Sequence, residues 1–321
     1  MNVPPLSGPR AGDGNYVEVI IREEVPLYFM RAFNKPATVV ESRAVAGLVP
    51  ADACVYILDP TASKALSVGG SARLTLEGCG VHVNSNSSSA ATTNGGGMVT
   101  ATAVGVVGNY TGSGFFPTPQ TGVYQAPDPL KDLPAPPSAG CTFIEPLVIQ
   151  DTQVLNPGNY CGGIQITSQG HVTLNPGMYV LNGGGLDVQA GATLIGDGVT
   201  FYNTAGGGYS FEPVEFMSNS TTQLSAPTSG TYKGILFFQD RSIPTANNKP
   251  NKFAGTPDTE FRGTLYFPLG DVDYVGTSGT VAQETMLLAR TAEFHGTADL
   301  TMFAKDSDML PTALAIARVV E

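Results

Sequence analysis

The chain has 321 residues, 39 of them glycine and 24 proline, and only 13% are Asp, Glu, Lys or Arg. Charge this sparse excludes a disordered polyelectrolyte and a charge-laced coiled coil. A net charge of −11 leaves no basic stripe to neutralise phosphates, which excludes a nucleic-acid binder.

Taken in chain order, the first fifty residues stand apart. Strands over 16–21 and 38–45 bracket the apolar run Pro26-Leu27-Tyr28-Phe29-Met30-Arg31-Ala32-Phe33, a hairpin-like unit with a short helix. The chain opens Met1-Asn2-Val3-Pro4-Pro5, without a basic and apolar leader, and reads as cut at a domain boundary. No run approaches the ~18–20 apolar residues that span a bilayer.

From residue 51 onward the sequence repeats. Leu155-Asn156-Pro157-Gly158-Asn159-Tyr160 returns as Leu174-Asn175-Pro176-Gly177-Met178-Tyr179. Leu66-x-Val68 is followed by Leu74, Ile164-x-Ile166 by Val172, and Leu186-x-Val188 by Leu194. Short alternating strands with Gly or Asn-Pro-Gly between them, at a period of roughly 19–25 residues, describe one turn of a β-solenoid. The expected fold is therefore an all-β, right-handed parallel β-helix over 51–321. Residues 1–50 would cap its open strand edges.

The spacing of the cysteines fits this frame. Cys54 and Cys79 lie about one turn apart, as do Cys141 and Cys161, and stacked positions fall within the reach of a disulfide. The pairs Cys54–Cys79 and Cys141–Cys161 are expected, each clipping neighbouring coils and implying export from the cytoplasm. Residues 84–97, NSNSSSAATTNGGG, read as a mobile loop or a polar stack along a corner. A proline-rich strap at about 108–145, densest over 116–140, should lie over the surface, pinned by Phe115, Phe116, Val123, Leu130 and Leu133. Farther on, Gly234–Phe238, Gly263–Phe267, Met286–Leu288 and Leu300–Phe303 read as buried strands.

Chemistry is sparse. The N-x-D, D-D, G-H-G and R-x-K patterns of polygalacturonase-like enzymes are absent, G-x-S-x-G is absent, and there is no Trp to stack on a sugar. Asp271 with Asp273, and Asp306 with Asp308, read as surface decoration before a catalytic or calcium pair. His82, His171 and His295 read as structural. The triplets Gly95–Gly97, Gly183–Gly185 and Gly206–Gly208 lack the strand–turn–helix setting of a phosphate loop. Asn86, Asn109 and Asn219 fall in N-x-S/T sequons of the kind a Ser/Thr-rich chain contains by chance. No catalytic, metal or cofactor residue is assigned.

Several segments together resemble a known group. They are Cys54-x-x-x-Leu58-Asp59-Pro60, Cys79-Gly80-Val81-His82-Val83-Asn84-Ser85, Pro127-Asp128-Pro129-Leu130 and Tyr160-Cys161-Gly162-Gly163-Ile164. Gly198–Thr204, Gly234-Ile235-Leu236-Phe237-Phe238-Gln239-Asp240-Arg241 and Gly263–Pro268 follow, with Pro26–Phe33 upstream. Their order resembles the periplasmic or extracellular part of TadG-like proteins of the bacterial tight-adherence (Flp-type) pilus-assembly family. The resemblance implies a non-enzymatic, exported envelope or surface protein, held to the membrane only through an anchor that this chain lacks. It implies envelope or pilus-assembly proteins as partners, and no catalytic residue. A polysaccharide-binding or polysaccharide-cleaving β-helix, with surface glycans as ligands, is the alternative; a self-stacking fibre component is a third reading.

Overall fold

In the computed structural model the described residues are 1–12, 16–27, 37–50, 53–138, 140–243, 249–254, 259–276, 280–281, 285–303 and 315–319. All regular structure among them is β. Two compact units emerge, one of residues 1–51 with 314–321 and the other of residues 52–313.

The smaller unit is an antiparallel sheet in which Tyr16–Pro26 pairs with Ala37–Pro50, and Ala37–Pro50 pairs with Ala315–Val319. The last strand was not anticipated, so the first fifty residues are not a unit by themselves. The short helix expected within Pro26–Phe33 lies, beyond Leu27, outside the described residues. One side chain at the heart of this sheet is charged. Glu18 is shut off from solvent and accepts from Asn2 Nδ2 (2.7 Å), Arg43 Nε (2.7 Å), Ser7 Oγ and the Leu6 amide. Hydrogen bonds from Asn2 and then Arg43 outweigh the opposing effect of burial and lower its carboxyl to about 2.

The larger unit is a parallel β-helix. Each full coil contributes strands to three faces. On the first face Ala53–Ile57 pairs with Gly80–Val83, which pairs with Val104–Val106, which pairs with Gln120–Thr121. On the second, Leu66–Val68, Ala91–Thr93 and Tyr110–Thr111 stack in turn; on the third, Arg73–Glu77, Met98–Thr100 and Phe115–Phe116 do so. Alternation decides which side chains enter the lumen. Leu66, Val68, Leu74 and Leu76 point in and are at most 3% exposed, whereas Arg73 and Glu77, on the same strand as Leu74 and Leu76, face water.

The coils do not stack in sequence order. Beyond Gln120–Thr121 the chain turns back, and the next coils, from residue 143 onward, form the opposite end of the helix. From there it winds back through strands at 147–149, 164–166, 186–188, 214–216 and 251–253 on the second face. The coil containing Thr285–Gly296 and Asp299–Phe303 then docks on the first coil of all: Leu287 against Val55, Ala292 against Leu66 and Leu300 against Leu74. The helix is thus two half-rods, 53–121 and 143–303, joined at a seam across which no peptide bond runs. Ala53–Ile57 is paired on both edges, so the first strand of the helix in chain order lies in an interior coil.

Within the hexad repeat, Leu155 and Leu174 are direct partners, but Tyr160 sits opposite Leu181, a slip of two residues. A two-residue slip preserves the side facing the lumen. Tyr160 and Tyr179 both remain fully buried, with centroids 5.9 Å apart. They belong to an internal column of stacked rings running Phe143, Tyr160, Tyr179, Phe201, Phe237, Phe267. Phe216, Phe253, Tyr274 and Phe294 form a second column. Offset or tilted ring pairs at such distances add to simple burial.

Both expected disulfides are present, Cys54–Cys79 with Cα atoms 5.6 Å apart and Cys141–Cys161 with 5.7 Å. Each joins adjacent coils. Of the two readings for residues 84–97, the polar corner is the one the structure has, and it leads into a strand. Their first part is a polar corner, with Ser85 Oγ donating to Ala62 O (2.6 Å), and 91–93 is a strand of the second face.

Candidate functional site

The first face differs from the others on its outer side. Its outward residues form one column in register: Gly105, His82, Tyr56, Leu288, Tyr266, Phe238, Tyr202, Val180, Asn159. Tyr56, Leu288, Tyr266, Phe238, Tyr202 and Val180 are each at most 2% exposed although they point away from the lumen. The proline-rich segment is what covers them. At a fully extended ~3.1 Å per residue, residues 123–138 would reach about 50 Å, against about 38 Å for the eight inter-strand steps of about 4.8 Å from Gly105 to Asn159, and the turn at 129–133 takes up the excess.

Side-chain contacts trace the path. Asn84 exchanges two hydrogen bonds with Ala126, at 2.8 and 2.9 Å. Tyr266 donates to the Asp128 carboxylate (2.5 Å), Asn182 donates to Ser138 O and Asn159 to Gly140 O. Midway, the Arg241 guanidinium lies over the Phe238 ring, donates to Leu130 O at 2.7 Å and also to Leu133 O. Leu130 is fully buried and Leu133 nearly so, as expected of pins. Burial and the neighbouring Asp128 raise the Tyr266 hydroxyl above its ordinary range, which keeps it protonated as a donor. The strap is shorter than the sequence suggested. Residues 110–111, 115–116 and 120–121 still belong to a coil; Phe115 enters the lumen, and Phe116 is half exposed and pins nothing.

The seam carries the main charged cluster. Arg290 donates to Asp59 Oδ2 at 3.0 Å and to Asp271 Oδ2 at 2.5 Å, tying three consecutive coils together. Burial alone would raise the Asp59 carboxyl. The amides of Thr61 and Ala62 and the Arg290 guanidinium override that and hold it below the usual carboxylate range. Asp271 also accepts from Thr291 Oγ1, and Asp273 sits 2.7 Å from His295 Nε2. These two aspartates therefore face different partners, Arg290 and His295, and do not converge on a common point. Asp306 and Asp308 lie outside the described residues.

The remaining candidates disperse. His82 lies on the first face beside Tyr56, and His171 is exposed on the third. Asn86, Asn109 and Asn219 are all exposed. The glycine triplets are corners: a Cβ at Gly184 (φ +74) would stand 2.0 Å from Gly162 O, and one at Gly207 would stand 2.6 Å from Cys161 Sγ. A shallow groove of about 300 Å³ on the second face is lined by Val148, Gln165, Asp187, Glu212 and Glu215. There Asp187 accepts from Gln165 and Gln189, and Glu212 pairs with Lys249. Among the described residues no three His, Cys, Asp or Glu side chains are placed to hold a metal ion. The strap-covered column was missed in the sequence. The signal was Tyr202, Phe238 and Tyr266 alternating with inward aromatics on buried strands, which shows that both sides of those strands are covered. No family model, curated protein or solved structure matches this chain.

Proposed function

We propose that this is a non-enzymatic protein of the bacterial envelope or surface, a stiff β-helix that contributes to Flp-type pilus assembly or to surface adhesion. The observation that carries the reading is how the large unit spends its polar side chains. Arg290, Asp59 and Asp271 bind coil to coil, and Arg241, Asp128, Asn84 and Asn182 bind strap to coil. Two disulfides and two aromatic columns add stiffness along the same axis. Closed bridges suit an oxidising extracellular or periplasmic compartment. The resemblance to TadG-like proteins supports the pilus assignment.

The test is in-cell crosslinking of the protein in its bacterium, followed by identification of the crosslinked chains. Recovery of pilin or secretin components supports the proposal. Recovery of polysaccharide alone, or release of oligosaccharides by the purified protein, would overturn it in favour of the glycan reading.

A further inference from the structure

We infer that the uncharged end of the β-helix pairs with the same end of a second copy of this chain. The argument starts from charge. Residues 78–127 contain no Asp, Glu, Lys or Arg, so the whole net charge of −11 is carried by the rest of the molecule. This fifty-residue stretch builds the outer coils of one half-rod, ending in the strands Tyr110–Thr111, Phe115–Phe116 and Gln120–Thr121.

Each of those three strands pairs along one edge only, with Ala91–Thr93, Met98–Thr100 and Val104–Val106. Their other edges present backbone N–H and C=O groups without a strand partner among the described residues. Such edges template pairing with another chain unless charge, proline or shortness blunts them; these strands are two residues each and Pro117 and Pro119 lie between the last two, but among the described residues no charged side chain stands at this end to repel a partner. Thr111, Phe116, Gln120 and Thr121 are exposed there. The opposite end differs. Its coil carries Glu145 and Asp151, which would meet like charges in a symmetric pair.

The seam shows that coil edges of this chain dock in register without covalent continuity: Thr285–Gly296 and Asp299–Phe303 pair with strands more than 200 positions away. Two identical ends related by a two-fold axis meet with their strands antiparallel, a closed contact that stops at a dimer. One coil's cross-section is small for an interface, so the dissociation constant should lie roughly in the micromolar to millimolar range. The acidic bodies repel, so added salt should tighten the pair by screening them.

Sedimentation equilibrium of the full chain, from low micromolar to near-millimolar concentration at two ionic strengths, tests this. A monomer–dimer equilibrium that strengthens with salt is expected. The double variant Thr111→Lys, Thr121→Lys should weaken it at least tenfold, while Val154→Lys at the opposite end leaves it unchanged. Circular dichroism spectra matching the parent confirm that each variant is folded. A monomer at every concentration would overturn the inference. So would a dimer indifferent to the two lysines, open-ended oligomers abolished by Val154→Lys, or capture of neutral polysaccharide by a strictly monomeric chain.

Discussion

Replacing Arg241 by Ala should release the middle of the strap while leaving the helix beneath it wound. The guanidinium holds the carbonyls of Leu130 and Leu133 and covers the Phe238 ring. Hydrogen bonds from a charged donor contribute about 1.5–3 kcal/mol each, and the ring contact about 0.5–1 kcal/mol. The two carbonyls regain water when the side chain is gone, so the net loss is put at about 2–4 kcal/mol. Local opening would then become roughly 30- to 1,000-fold more frequent, at a factor of ten per ~1.4 kcal/mol. Lys131 is exposed and flanked by the two anchoring carbonyls, which makes it a built-in reporter. Trypsin should cut after Lys131 faster in the variant by up to that factor, with the far-ultraviolet circular dichroism of the parent. Cleavage after Lys131 at the parental rate, or cleavage accelerated equally at Arg73 and Lys252 in the coils, would refute the reasoning.

Three further outcomes follow from the same contacts. Removing the first bridge by Cys54→Ala with Cys79→Ala opens a loop of 25 residues and should cost about 3.5 kcal/mol in denaturant unfolding, a loss of under 1 kcal/mol counting against the clip. Arg290→Met should weaken the seam and flatten the acid limb of the stability profile. The depressed Asp59 carboxyl contributes stability above its unfolded value near pH 4, lost as pH falls through the folded value, and the variant should lack part of that dependence below about pH 4; parental acid sensitivity would exclude it. Glu18 contributes in the same direction through its hydrogen bonds and should remain in both proteins. Tyr274→Phe should be neutral or stabilising by up to about 2 kcal/mol, because its buried hydroxyl has no partner among the described residues; a loss above about 1 kcal/mol would reveal one.

The corrections share a cause with the successes. The strap was recognisable from its prolines, but its length was overestimated because Tyr110, Phe115 and Gln120 fall between turn residues and look like the same irregular stretch. Whether such short runs are strands depends on a neighbouring coil to pair with, which is Ala91–Thr93, Met98–Thr100 and Val104–Val106 here. Asp271 and Asp273 looked like a possible pair along the strand, and only the adjacent coil, carrying Arg290 and His295, separates them into distinct contacts.

What the amino-acid order determined by itself is whatever repeats within one winding: the inward alternation of Leu66, Val68 and Leu74, the glycine corners, and the partners of all four cysteines. These rest on local geometry, since a strand's two sides and a coil's length are set by nearby residues. The order of the coils was decided only in three dimensions. Backbone hydrogen bonds join Leu287 to Val55 as readily as they join Val55 to Val81, and they carry no mark of which coil should come next. The choice is made by the strap, which carries the chain from one end of the helix to the other so that the last coil can close on the first.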